Sequence, residues 1–209
     1  MAVYKLTYLN LPALAEPIRF LLSYLEIDFE DIRYEREEWP SVKPTMPFGK
    51  IPVLEIDGKV LNQSTALCRY LSKKAGLAGS DDWESLLIDI TLDNFNDFRE
   101  AFRTHIIFVS EESKAEKYVT LINEIIPLYM NKFENIVSEN DGYFVNGKLS
   151  CADIYFAAII DFFSYLGKVD LLENRPKLQA LKKKIYEIPQ IKSWIAKRPA
   201  FSYAWSNDN

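Results

Sequence analysis

MPFGKIPVLEIDGKVLNQSTALCRYL, residues 46–71, contains a hairpin, a helix start and two polar or rigid features that neither element requires. PVLEI and KVL are β-forming runs separated by Asp57-Gly58, a connection suited to a type I′ turn with positive φ at both residues. STALCRYLSKKAG then reads as a helix, with Ser64 as its cap and Gly76 as its left-handed stop. Pro52 has two readings. It opens a strand where its missing N–H costs nothing, or it is a cis proline that turns the preceding N–H and C=O toward an extended peptide. Gln63-Ser64 also has two. It is a helix cap alone, or a cap that doubles as a carboxylate site, because a helix start offers free N–H groups and partial positive charge. The second readings together describe a groove for a short acidic peptide, with its backbone along Ile51-Pro52 and its carboxylate on the Ser64 helix.

Working outward, VYKLTYL (3–9) alternates in the manner of a strand. In LAEPIRFLLSYLE (14–26), Ile18, Leu21, Leu22 and Leu25 form one helical face. Pro17 is tolerated only in the first turn, so that helix starts near Leu14 to Glu16. DFEDIRY (28–34) is a second strand, and residues 35–50, with Pro40, Pro44 and Pro47, read as irregular. The order is β-α-β-loop-β-β-α, a small α/β sandwich whose first two strands are joined by a crossover helix. Beyond it no strand is evident. Helical patterns run over 83–108, 113–138, 151–166, 176–187 and 189–197. The expected organisation is an α/β domain over 1–76, a linker over 77–83 and an all-α domain over 84–209. LSCADI (149–154) carries a capping box, Ser150 with Asp153, flanked by Leu149 and Ile154 at the staple positions. This is a folding signal worth about 1 kcal/mol per cap.

The chain has 209 residues, 48 % hydrophobic and 14 % aromatic, enough for a large core, which argues against disorder. A formal charge of -5 argues against general nucleic-acid binding. Cys68 and Cys151 form neither a CxxC pair nor a zinc spacing, which fits a reducing compartment. The start, MAVYKLTYLN, reads as a strand and not as a signal peptide. IYFAAIIDFF is about half the length of a membrane span and contains Asp161, so it reads as a buried helix. A cytoplasmic protein with no membrane partner is expected.

Tyr8 lies at the carboxyl end of the first strand, where ligands bind in α/β sheets; a strand tyrosine is otherwise a core residue. Trp39, Lys43 and Lys50 precede Pro52. Each alone is an ordinary surface residue, and together the lysines suit a second carboxylate at the peptide's far end. His105 is the only histidine and has no partner at motif spacing, so it reads as structural. Asp89, Asp93 and Asp97 recur at i, i+4, i+8, either a solvated acidic face or a stripe facing cations. Phe201, Tyr203 and Trp205 alternate in the tail, as an apolar lid or as surface packing.

YKLTYLN, AEPIRFLLSYLEIDFED, EWPSVKPTMPFGKIPVLEIDG, NQSTALCRYL and LSCADIYF together resemble the cytosolic glutathione S-transferases, and among them the sigma class. The resemblance implies a thioredoxin-like domain, an all-α domain and a homodimer. It implies glutathione as the peptide and co-substrate, with no metal required. Tyr8 would be the catalytic hydroxyl on the glutathione sulfur. Trp39 and Lys43 would hold the glycyl end with Lys50 nearby, the Ile51 backbone beside Pro52 would pair with the cysteinyl residue, and Gln63 and Ser64 would bind the γ-glutamyl carboxylate. Asp97 would reach the partner's glutathione ammonium. Leu9, Leu14, Arg99, Phe102, Tyr155 and Tyr203 would form the second-substrate pocket. A divalent ion on Asp93, Asn96 and Asp97 at the dimer interface is a weaker implication. The chemistry is thiol activation. A free thiol has a pKa of about 8.5, and a hydroxyl donor aimed at sulfur lowers it. The thiolate then attacks a small hydrophobic electrophile, such as a lipid-peroxidation aldehyde.

Two departures matter. Some sigma-class members have an arginine where this chain has Leu14, which leaves Tyr8 as the evident activating side chain. Relatives that isomerise prostaglandin H2 carry a tryptophan in the second-substrate pocket, and the corresponding region of this chain, REAFRTHII, has Arg99, Phe102, Arg103 and Thr104 instead. A glutathione-dependent prostaglandin isomerase is therefore the alternative rather than the leading reading. A non-catalytic crystallin or ligand carrier is a third.

Overall fold

The computed structural model describes residues 2–199. Four strands form one sheet in the order β2-β1-β3-β4, with β1 Tyr4–Leu9, β2 Phe29–Tyr34, β3 Val53–Ile56 and β4 Lys59–Asn62. β1 and β2 are parallel, with Tyr8 opposite Arg33. They are joined by helix α1, Glu16–Tyr24, which places Pro17 in its first turn. β3 runs antiparallel to β1, with Thr7 opposite Val53, and pairs in turn with β4, with Val53 opposite Asn62. Asp57 and Gly58 have φ of 49° and 78°, the positive pair a type I′ hairpin needs.

The expected irregular segment after β2 contains three short helical turns: α2, Trp39–Val42, then Lys43–Thr45 and Pro47–Gly49. The prolines cause this, since each occupies an early helical position where a missing N–H costs nothing. Helix α3 spans Ser64–Ala75 and closes on Gly76 at φ 69°. Its cap is Gln63, at φ 73°, and not Ser64, which is the first helical residue. The chain must turn sharply from the edge strand into the helix, and Gln63 absorbs that turn.

The remainder is helical: α4 Asp82–Phe102, α5 Glu111–Thr120, α6 Ile126–Glu139, α7 Cys151–Gly167, α8 Pro176–Tyr186 and α9 Pro189–Lys197. Wide π turns at Arg103–Ile107 and Leu121–Ile125 extend α4 and join α5 to α6. Pro127 accounts for the second, because it cannot donate to the preceding turn. The capping box forms as read: Asp153 accepts from the Ser150 amide at 2.7 Å and the Ser150 hydroxyl at 2.8 Å, and also from the Phe144 amide at 2.9 Å. Burial pushes the Asp153 carboxyl up to about 6, against the pull of these donors. α7 is buried along nearly its whole length, so IYFAAIIDFF is the central core helix. α1 and α3 of the first part pack on it, and the Cys151 amide donates to the Leu77 carbonyl at 2.9 Å.

Candidate functional site

The sheet register assembles the site. Pairing of β1 with β3 stops at Thr7–Val53, so Tyr8 lies at the level of Pro52. Pairing of β3 with β4 stops at Val53–Asn62, so Gln63 lies at that same level. Tyr8, Pro52 and the start of α3 therefore form one row across the end of the sheet. The Ile51–Pro52 peptide is cis. Ile51 precedes the first ladder pair, so its backbone stands outside the sheet. α3 begins its bonding at Leu67, whose amide donates to the Gln63 carbonyl at 3.0 Å. The amides of Ser64, Thr65 and Ala66 are thus the unsatisfied helix-start donors, which suit a carboxylate.

Tyr8 is 8 % exposed. Burial raises its pKa, while the Leu14 backbone amide and the Arg19 and Arg99 guanidinium groups pull it back. The net effect keeps the phenol protonated at neutral pH, as a hydrogen-bond donor must be. The loop after Tyr8 is staked by Arg19, an arginine set within the apolar stripe of α1. Its Nη1 donates to the Leu11 carbonyl at 3.0 Å and to Glu16 at 3.1 Å, and its Nε to Asp31 at 3.0 Å. Glu16 in turn accepts from Trp194 Nε1 at 2.9 Å and Arg198 Nη1 at 2.8 Å, both from the far end of the chain. Cationic partners hold its carboxyl below the ordinary range despite burial.

Around the row, Trp39 is half-buried at the start of α2, and Lys43 and Lys50 are exposed. The Lys43 stem folds over Gly49, whose φ of 58° and lack of a side chain admit it; a Cβ there would lie 3.4 Å from Lys43 Cε. Ser64 is half-buried and Gln63 exposed. Asp97 is exposed on α4, one residue beyond Asn96, whose amide donates to Thr65 at 3.1 Å. That bond ties the start of α3 to α4, and sequence spacing offered no signal for it.

The structure bears on three further expectations. The Asp89–Asp93 stripe faces a cation of the chain itself: Arg69 of α3 bonds Asp89 at 2.6 Å and Asp93 at 3.0 Å. Among the described residues no group of three His, Cys, Asp or Glu side chains is placed to hold a metal. Leu9, Leu14 and Arg99 are half-buried near Tyr8, as a pocket wall would be, but Phe102 and Tyr155 are core. Tyr155 stacks on Phe95 at 5.9 Å and Phe102 packs on Phe163 at 4.9 Å, so they back the wall and do not face it. Tyr203, with Phe201 and Trp205, lies outside the described residues. Sequence reasoning also missed Arg19, whose charge within PIRFLL was the available signal.

Family models for the glutathione S-transferase N-terminal and C-terminal domains match residues 4–73 and 96–198. A glutathione S-transferase of Anopheles gambiae is 50 % identical over 95 % of this chain and 98 % of its own. Human hematopoietic prostaglandin D synthase is 37 % identical over 95 % and 98 %. The solved structure of prostaglandin synthase D of Nilaparvata lugens superposes with a TM-score of 0.91 at 49 % identity, covering 95 % of this chain and 99 % of that one. With both halves matched and relatives this similar over nearly their full length, the chain belongs to the glutathione S-transferase family.

Proposed function

We propose that the protein is a sigma-class glutathione transferase that binds glutathione along the Tyr8–Pro52–Gln63 row and activates its thiol. The observation that carries this is the register: the β1–β3 and β3–β4 pairings stop at one level, beside a helix start with free amides. Glutathione has a carboxylate at each end and one extended backbone between them. The γ-glutamyl carboxylate meets Gln63, Ser64 and the first amides of α3. The cysteinyl backbone lies against Ile51, and the glycyl carboxylate lies toward Trp39, Lys43 and Lys50. The sulfur then reaches Tyr8, whose protonated phenol donates to the thiolate and favours ionisation. The thiolate attacks an electrophilic carbon held by Leu9 and Leu14.

A homodimer completes the site, with Asp97 of one subunit serving the glutathione ammonium of the other. Exposed apolar side chains support this. Phe48 is 86 % and Trp83 67 % exposed, and Val60, Tyr70, Leu86 and Ile90 are exposed with them on the Phe48 turn, β4, α3 and α4. No described helix is long and apolar enough to cross a membrane, and we place the protein in the cytoplasm. The relatives named prostaglandin D synthase favour a second reading, glutathione-dependent isomerisation of prostaglandin H2. Product analysis with that endoperoxide separates the two.

The test of the first reading is conjugation of an aryl halide and of an unsaturated aldehyde by wild type and Tyr8→Phe. Loss of one oriented donor is expected to lower kcat/KM by about 10²-fold, with glutathione still bound. Equal activity of both proteins refutes the role of Tyr8.

A further inference from the structure

We infer that Arg99, reaching from α4 to the end of β1, supplies the cationic charge that holds the glutathione thiolate beside Tyr8. This rests on the transferase reading above. Leu14 brings an amide to Tyr8 but no charge, so the local cations have to come from elsewhere. Those near Tyr8 are Arg19, Arg33 and Arg99.

Two of the three are neutralised. Arg19 is fully buried between Asp31 and Glu16. Arg33, across the ladder from Tyr8, bonds Asp31 at 2.8 Å and Asn10 at 3.3 Å. Arg99 differs. Its Nε, like Arg19 Nη2 and Arg33 Nη2, is buried with no hydrogen-bond partner among the described residues, but Arg99 alone of the three has no hydrogen bond to a carboxylate among them. The carboxylate nearest its Nη2 is Glu100, at 4.0 Å. That carboxylate already accepts both bonds of Arg103, at 2.9 and 2.8 Å. The Arg99 charge opposes the rise that burial imposes on the Tyr8 and Tyr155 phenols. Its side chain is 31 % exposed, so it is not sealed in the core.

A buried guanidinium nitrogen without an acceptor is a costly feature in a folded chain. An anion arriving beside Tyr8 meets a guanidinium charge whose nearest carboxylate lies 4.0 Å away, and a thiolate is such an anion. The thiol proton passes to solvent, while Arg99 keeps its own protons and stabilises the charge left on sulfur.

The experiment is a pH titration of glutathione bound to wild type, Arg99→Lys, Arg99→Gln and Arg99→Met, following thiolate absorbance. Calorimetry with S-methylglutathione, which has no ionisable thiol, runs alongside. The neutral variants are expected to raise the bound thiol pKa by about one unit, a roughly tenfold loss of thiolate below that pKa. Arg99→Lys should restore most of the shift. S-methylglutathione should bind all four proteins alike, which a merely structural role for Arg99 would not predict together with the thiol shift. A wild-type thiol pKa in either folded neutral variant overturns the inference and leaves Tyr8 as the activating group. A wild-type protein that binds glutathione without lowering its thiol pKa overturns the transferase reading itself.

Discussion

Glu16→Gln tests the network behind the site. The substitution keeps shape and removes charge. Glu16 is 1 % exposed and holds Arg19, which is fully buried, and Arg198, which is 21 % exposed. Breaking a buried ion pair from one side typically costs about 3–5 kcal/mol. Here Arg19 retains Asp31 and Arg198 reaches solvent, so the lower end applies, about 3 kcal/mol. For a chain of this size that is a Tm loss of roughly 6–12 °C. Urea unfolding at fixed protein concentration measures it. The pH dependence gives a second reading. The Glu16 carboxyl is held below its ordinary 4.5 when folded, so its contribution is full above that value. It is lost as pH falls through the depressed folded pKa, because the unfolded chain then binds the proton more readily. Wild type should therefore converge on the variant in acid. A variant within about 0.5 kcal/mol of wild type at pH 7, the ordinary range of surface substitutions, refutes the reasoning.

Two further outcomes follow from the same structure. Asp153→Ala leaves the Phe144 and Ser150 amides without their acceptor, and should cost about 2–4 kcal/mol in urea unfolding with little change in glutathione affinity, since α7 lies behind the site. Phe48→Ser removes the most exposed large apolar side chain of the proposed dimer face; sedimentation should show a shift toward monomer, and an unchanged dimer would move the interface elsewhere.

The hairpin, α1 with Pro17, the Ser150–Asp153 cap and the run of helices were legible because local chemistry dictates them. So was the placing of Tyr8, Pro52 and Gln63-Ser64 in one row, since each sits near the end of a strand or the start of a helix. What stayed hidden depends on distant partners. The Asp89–Asp93 stripe could not reveal Arg69, about twenty residues away on another helix. Glu16 meets Trp194 and Arg198 only once α9 docks on α1. Gln63 displaced Ser64 as the cap because the turn out of an edge strand sets its φ, and propensity does not. Phe102 and Tyr155 read equally as core or pocket, since an apolar helical stripe faces whichever lies beside it. That Arg99 Nε lacks a hydrogen-bond partner among the described residues was visible only in three dimensions.

The most direct measurement is the thiol pKa of glutathione bound to wild type and to Tyr8→Phe, read from thiolate absorbance. The account predicts a wild-type value at least about one unit below the free 8.5, and a return upward in the variant, each unit being about 1.4 kcal/mol of thiolate stabilisation. Glutathione bound tightly with an unshifted thiol would contradict it, leaving a groove that holds the peptide without activating it.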